Sequence, residues 1–173
     1  MHNAERHKKT QDCWASLENS LLATYLKLLH KTLNWTSQES YTDVVICCLK
    51  VNMPCTTHTQ AVDLIDLTGC QCKKITFCLC CPDPIHLLHL GYLPGSPQHP
   101  CTGFLIQLVQ FYNIFWKIST LSPINFIKSV MHHLHSHSHS FLNSKTHELQ
   151  DQNLSGPFKA CITAFQKLQD NQQ

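Results

Sequence analysis

Eight of this chain's eleven cysteines fall between Cys47 and Cys81, a crowding that constrains its fold more than any other feature. A chain of 173 residues with 43% hydrophobic content buries a core without covalent staples, so the cysteines need another reason to cluster. Met1 to Thr10 is polar and basic and lacks the apolar centre of a secretory signal, so the thiols are expected to be reduced and the protein intracellular. In a reducing compartment such a set reads first as metal ligands mixed with buried free thiols.

Zinc takes about four soft or borderline donors in a tetrahedron, and two closely spaced pairs can supply them. Cys70 with Cys72 and Cys78 with Cys80 form such a pair of pairs. Residues i and i+2 of a regular strand stand about 6.5 to 7 Å apart, so both pairs need a bend, which Gly69 and Pro82 are placed to give. Cys47, Cys48, Cys55 and Cys81 are further candidate ligands, whereas Cys13, Cys101 and Cys161 read as packing residues. The competing reading of the whole cluster is a set of buried thiols acting as small hydrophobes. His86 and His89 share one side of a short helix at a spacing metals tolerate, although such histidines more often pack or face solvent. The run His132, His133, His135, His137, His139 reads more simply as a soluble, serine-spaced stretch than as a metal site.

The pattern around the cluster predicts an α+β fold, mostly helical, with a small antiparallel β-hairpin carrying the cysteines. Residues 1–11, with Arg6, Lys8 and Lys9, are expected to form a flexible basic arm. Residues 12–135 form the cysteine-cluster domain. It opens with a helix whose stripe is Trp14, Leu17, Leu21, Tyr25, Leu28 and Leu29, ending near Asn34. Asp43 to Val51 reads as a strand. Ala61–Leu67 and Lys74–Cys80 read as a hairpin connected by Thr68 to Lys73. Asp63 and Asp66 interrupt its pattern and are expected to be solvated. Asp83 as cap, Pro84 in the first turn and Gly91 past the end bracket a short helix. Leu93 to Cys101 is a proline-rich turn, followed by an apolar helix from Phe104 to Ile118 expected at the centre of the core, and Ser122-Pro123 opens another. Residues 136–156 form a polar linker and 157–173 a terminal amphipathic helix.

Function is bounded from several sides. Lys and Arg number 13 against 11 Asp and Glu, so charge alone gives no basic face that announces nucleic acid. The Phe104–Ile118 stretch is interrupted by Gln107, Gln110, Asn113 and Lys117, short of the ~20 apolar residues of a membrane span. No phosphate loop, dinucleotide fingerprint, nucleophile elbow or His-Glu-x-x-His occurs, and no local pattern singles out one thiol, so a catalytic site is not expected.

Four stretches carry a resemblance to a family: the opening helix with Trp14, Tyr25 and Leu29; Val62 to Leu67; Phe77 to Pro84; and His89 to Pro97, followed by Pro100, Phe104, Leu108 and Trp116. Together they resemble the CxC cysteine-cluster region associated with KDZ transposases, mobile elements abundant in fungi. The resemblance implies structural zinc on Cys70, Cys72, Cys78 and Cys80. It also implies a place beside a ribonuclease H-like nuclease core that is expected to begin only beyond Gln173, and a role in binding DNA or assembling the transposition complex, in the nucleus. Expected partners are DNA, a transposase nuclease domain or other transposition proteins, with no membrane and no small-molecule substrate. Where the family usually has arginines, this chain has His86, His89, Gln98 and His99. The alternative is a non-catalytic structural or protein-interaction remnant of a transposon with no DNA affinity; a thiol enzyme is a third reading.

Overall fold

The computed structural model describes residues 2–35, 55–137 and 153–171. The expected strand Asp43 to Val51, with Cys47 and Cys48, lies outside them, as does most of the expected linker. Among the described residues the chain is α+β: helices α1 (His2–Lys31), α2 (Asp83–His89), α3 (Ile106–Ser119), α4 (Pro123–His137) and α5 (Ser155–Asp170), with strands β1 (Thr57–Ile65), β2 (Cys70–Cys78), β3 (Tyr92–Pro94) and β4 (Thr102–Leu105). The sheet order is β2-β1-β4-β3, with β1 and β4 parallel and the outer pairs antiparallel.

Helix α1 starts ten residues before the order expected from Asp12. Ala4, Glu5, Arg6, Lys8 and Lys9 are strong helix formers that extend the turns already fixed by packing further along, and residues 4–12 remain exposed. The expected stripe does the packing, with Leu17, Leu21, Tyr25 and Leu28 buried. Leu33, Asn34 and Trp35 then adopt left-handed backbone that reverses the chain. The reversal is anchored by the buried Trp35, whose N–H donates to Thr32 Oγ1 at 2.9 Å and whose carbonyl accepts from Gln107 Nε2 at 2.6 Å.

The hairpin is longer than the apolar pattern suggested and its turn is tighter: Thr57 pairs with Cys78 at one end and Ile65 with Cys70 at the other, leaving residues 66–69 as the connection. Asp66 builds that turn. Its Oδ1 accepts from the Thr68 N–H at 2.5 Å, the Thr68 hydroxyl at 2.7 Å and the Gly69 N–H at 2.6 Å, as short polar side chains do where the chain reverses. Asp63, expected to be solvated, is instead buried near the turn end of β1, with its N–H donating to the Cys101 carbonyl at 2.9 Å.

Two strands replace what the prolines suggested was a turn alone. β3 and β4 pair on either side of the Gly95–Cys101 loop, so Phe104 lies on β4 and the helix begins two residues later, at Ile106. Gly103 fits a close approach, because a Cβ there would stand 3.2 Å from both the Leu64 and Tyr92 side chains and would have to push them back by a few tenths of an ångström. Ile65, Leu93 and Phe104 join the main core with the helices, whose aromatic centre includes Tyr112, Phe126 and Phe158. Val62, Leu64 and Phe77 form a smaller cluster with Leu87 of α2. Helix α3 supplies the main core only through Ile106, Leu108, Val109 and Tyr112. Its second half, expected at the centre, leaves Ile114, Trp116 and Ile118 exposed, while Phe115 meets Phe126 of the next helix. Helix α4 begins as expected, with the Asn125 N–H donating to Ser122 Oγ at 3.2 Å and Pro123 in the first turn.

Candidate metal centre

Helix α2 and the open end of the hairpin position the candidate ligands. The N–H of Leu79 donates to the Thr56 carbonyl at 3.0 Å, continuing the ladder one step past β2, and the N–H of Cys81 donates to the Cys78 carbonyl at 3.3 Å, which turns the chain toward α2. This turn folds Cys80 back beside Cys78, with Cα atoms 5.5 Å apart. It supplies the bend that two cysteines at i and i+2 require.

A third sulfur arrives from the facing segment. Cys55 stands two residues before β1, and its Sγ lies 2.6 Å from Cys78 Sγ and 3.4 Å from Cys80 Sγ. Cys78 and Cys80 are close enough to pair as a disulfide, and only when they are reduced do both offer thiolates to a metal. A disulfide accounts for two sulfurs and leaves the close approach of Cys55 unexplained. Thiolates on one zinc at about 2.3 Å each stand about 3.8 Å from one another, wider than the 2.6 and 3.4 Å here, so the reduced sulfurs would spread apart to share an ion. The N–H of Cys80 also points to Cys78 Sγ at 3.4 Å, a contact that favours the anionic sulfur a metal needs. The donor set therefore fits a thiophilic ion.

The four sulfurs singled out by spacing are divided between the two ends of the strand. Cys78 and Cys80 come together, with Cys55 as their partner, whereas Cys70 pairs with Ile65 and Cys72 with Asp63 at the turn end. Cys78 lies six residue steps beyond Cys72 along β2, about 20 Å of extended chain, too far to share an ion. The local chemistry at the turn end also opposes thiolates. Burial, and then the Asp63 carboxylate, push the Cys70 thiol up to about 12, and the same two causes raise Cys72. Cys70 packs against the main core as a small hydrophobe. Cys161 is fully buried and its thiol raised by desolvation, Cys101 Sγ lies 3.6 Å from the His99 carbonyl, and Cys13 is half-buried on α1. Cys81 is half-buried beside the trio.

His86 is buried, 5.7 Å from the Phe77 ring at right angles to it, and burial lowers its pKa; the half-buried His89 is lowered for the same reason, so burial disfavours the charged form of both. Helix α4 continues through the expected histidine run as far as His137, with His132 and His133 exposed; His139 lies outside the described residues.

A second group was not legible in the sequence. Asp83, expected to cap α2, makes no capping hydrogen bond there, and Pro82 occupies the cap position. Its carboxylate turns instead to two imidazoles, with His58 Nε2 at 3.3 Å and His99 Nδ1 at 3.1 Å from Oδ2. His58 comes from β1 and His99 from the β3–β4 loop, so no local spacing links the three residues.

The chain from residue 34 to 139 matches the family model described as the CxC1-like cysteine cluster associated with KDZ transposases. The match covers more than half of the sequence. This chain belongs to that family. No curated protein and no solved structure matches it. The sulfur trio of the CxC1-like domain sits inside the matched region, as do Cys70 and Cys72 at the opposite end of the hairpin. No helix among the described residues is long and apolar enough to cross a membrane.

Proposed function

We propose that this CxC1-like domain is a zinc-stabilised, non-catalytic accessory module of a KDZ-type transposase that binds DNA in the nucleus and helps assemble the transposition complex. The observation that carries this reading is the convergence of Cys55, Cys78 and Cys80 where the hairpin opens. Zinc there would be held by these three sulfurs and a fourth donor drawn from Cys81, Cys47 or Cys48. Bound zinc supplies folding energy, and the chain's own part is to hold Cys55 and Cys80 in place through the β1–β2 ladder and the Cys78–Cys81 turn. Exposed Arg6, Lys8 and Lys9 on the first turns of α1 offer charge for phosphate contacts.

The test is elemental analysis of the tag-free, dialysed chain, alongside a variant whose His132–His139 histidines are replaced by serine. At least one tightly held zinc per chain is expected in both. Zinc absent from both, or lost with the histidines, would refute the metal centre. DNA affinity is tested with a labelled duplex at two salt concentrations, where phosphate contacts make affinity fall as salt rises. A second reading, protein assembly without DNA affinity, is favoured by the exposed apolar side chains of α3, Ile114, Trp116 and Ile118, and it is the outcome if no salt-dependent binding occurs.

A further inference from the structure

We infer that His58, Asp83 and His99 form a second site for a borderline divalent ion of the zinc type, separate from the cysteines. The three donor atoms lie within 4.8 Å of one another. Nitrogen and oxygen ligands at about 2.0 to 2.1 Å from a tetrahedral zinc are spaced about 3.3 Å apart, and the two contacts to Asp83 Oδ2 are 3.3 and 3.1 Å. Two imidazoles and one carboxylate are a donor set suited to such ions, with room left for a fourth ligand.

Hydrogen bonding alone does not explain the arrangement. Both ring nitrogens of His58 are shut off from solvent: Nδ1 has no hydrogen bond, and the 3.3 Å approach of Nε2 to Asp83 Oδ2 lacks hydrogen-bond geometry. A buried polar atom in that state is costly unless something else satisfies it, and an ion on Nε2 would do so. The Asp83 side chain is itself only 9% exposed. It is a carboxylate taken out of water at the start of a helix it does not cap.

The site is also built rather than incidental. His58 is fixed by stacking on Phe77 at 5.4 Å and by its place in the β1–β2 ladder opposite that residue. His99 has a left-handed backbone (φ 42°), which non-glycine residues seldom adopt. Its loop is tied back by Gln60 Nε2 donating to the Pro100 carbonyl at 3.0 Å and by the Ser96 hydroxyl donating to the Gln98 carbonyl at 3.1 Å. The ligands line a cleft of about 360 Å³ that also reaches Cys80 and Cys81, so an ion has a way in from solvent.

Cobalt titration of the full chain, in the background with the His132–His139 histidines replaced by serine, tests the site, because thiolate ligands give cobalt a strong charge-transfer absorption that imidazole and carboxylate ligands do not. H58A/H99A should lose one equivalent of bound cobalt and keep the thiolate band. C55S/C78S/C80S should lose the thiolate band and keep one equivalent with ligand-field absorption only. If H58A/H99A binds as many equivalents as its parent, the second site does not exist and the three side chains are an imidazole–carboxylate hydrogen-bonding group. Since H58A/H99A leaves the sulfurs untouched, that failure is distinct from failure of the cysteine centre. A further variant, D83N, should weaken cobalt binding at this site at least tenfold while far-ultraviolet circular dichroism stays unchanged; unchanged affinity would overturn the assignment of Asp83.

Discussion

The two ends of the β1–β2 hairpin each carry two cysteines one residue apart, and they are closed by different chemistry. At the turn, Asp66 gathers two N–H groups and a hydroxyl on one carboxylate oxygen, and Cys70 and Cys72 stand beside Asp63, where anionic sulfur is disfavoured. At the open end nothing covalent joins the strands, and Cys55, Cys78 and Cys80 meet there instead. The same spacing therefore has two outcomes. On a straight strand beside carboxylates it leaves Cys70 packed and Cys72 exposed, and where the strand ends and bends it gathers sulfurs that could hold a metal ion.

The sharpest way to break this comparison is to remove each cysteine set in turn. C55S/C78S/C80S should lower the melting temperature by ~10 °C or more, because metal sites contribute folding energy directly. C70S/C72S should lower it by only a few degrees and leave zinc content unchanged. Calorimetry with zinc analysis reads both, and equal effects would erase the distinction. Next in size, Phe158→Ala should cost ~3 to 5 kcal/mol in urea titration without altering bound zinc, since Phe158 lies in the helical core far along the chain from the sulfurs. Asp66→Ala should cost ~1 kcal/mol by the same titration, with zinc again retained, as the turn loses its acceptor.

The smallest effect is one of pH. The Cys70 thiol is raised in the folded state, so the folded chain keeps a proton that the unfolded chain gives up first. Its contribution is fully present below the unfolded pKa near 9 and is lost as pH rises toward about 12. Stability of the parent should fall more steeply than that of C70S across this window. Parallel curves would show that Cys70 is not held as a buried thiol.

Much of the frame was legible because it rests on local chemistry. Pro84 and Gly91 bracket α2, with Gly91 in left-handed backbone just past its end, and Ser122-Pro123 starts α4. The site was legible only in part. Spacing found Cys78 and Cys80, but the partner of that pair is set by strand register, which brings residue 57 opposite residue 78 and so carries Cys55 across. His58 and His99 are isolated in sequence and meet Asp83 only because β1 pairs with both β2 and β4. The exposed half of α3 has an apolar composition indistinguishable from a core helix, and only its neighbours decide which side of it is covered.

The parallel pairing of β1 with β4 bears on the order in which the sheet can assemble. The nine-residue ladder of the hairpin closes over a four-residue turn, a cheap loop in entropy, whereas Asp63 to Ile65 meet Thr102 to Phe104 only after the chain has passed through α2 and β3. The sulfur trio forms across the hairpin and its flanks alone, so metal capture can come before the sheet is complete. The His58–Asp83–His99 group spans the later closure, and its geometry exists only once that slower, long-range step is done.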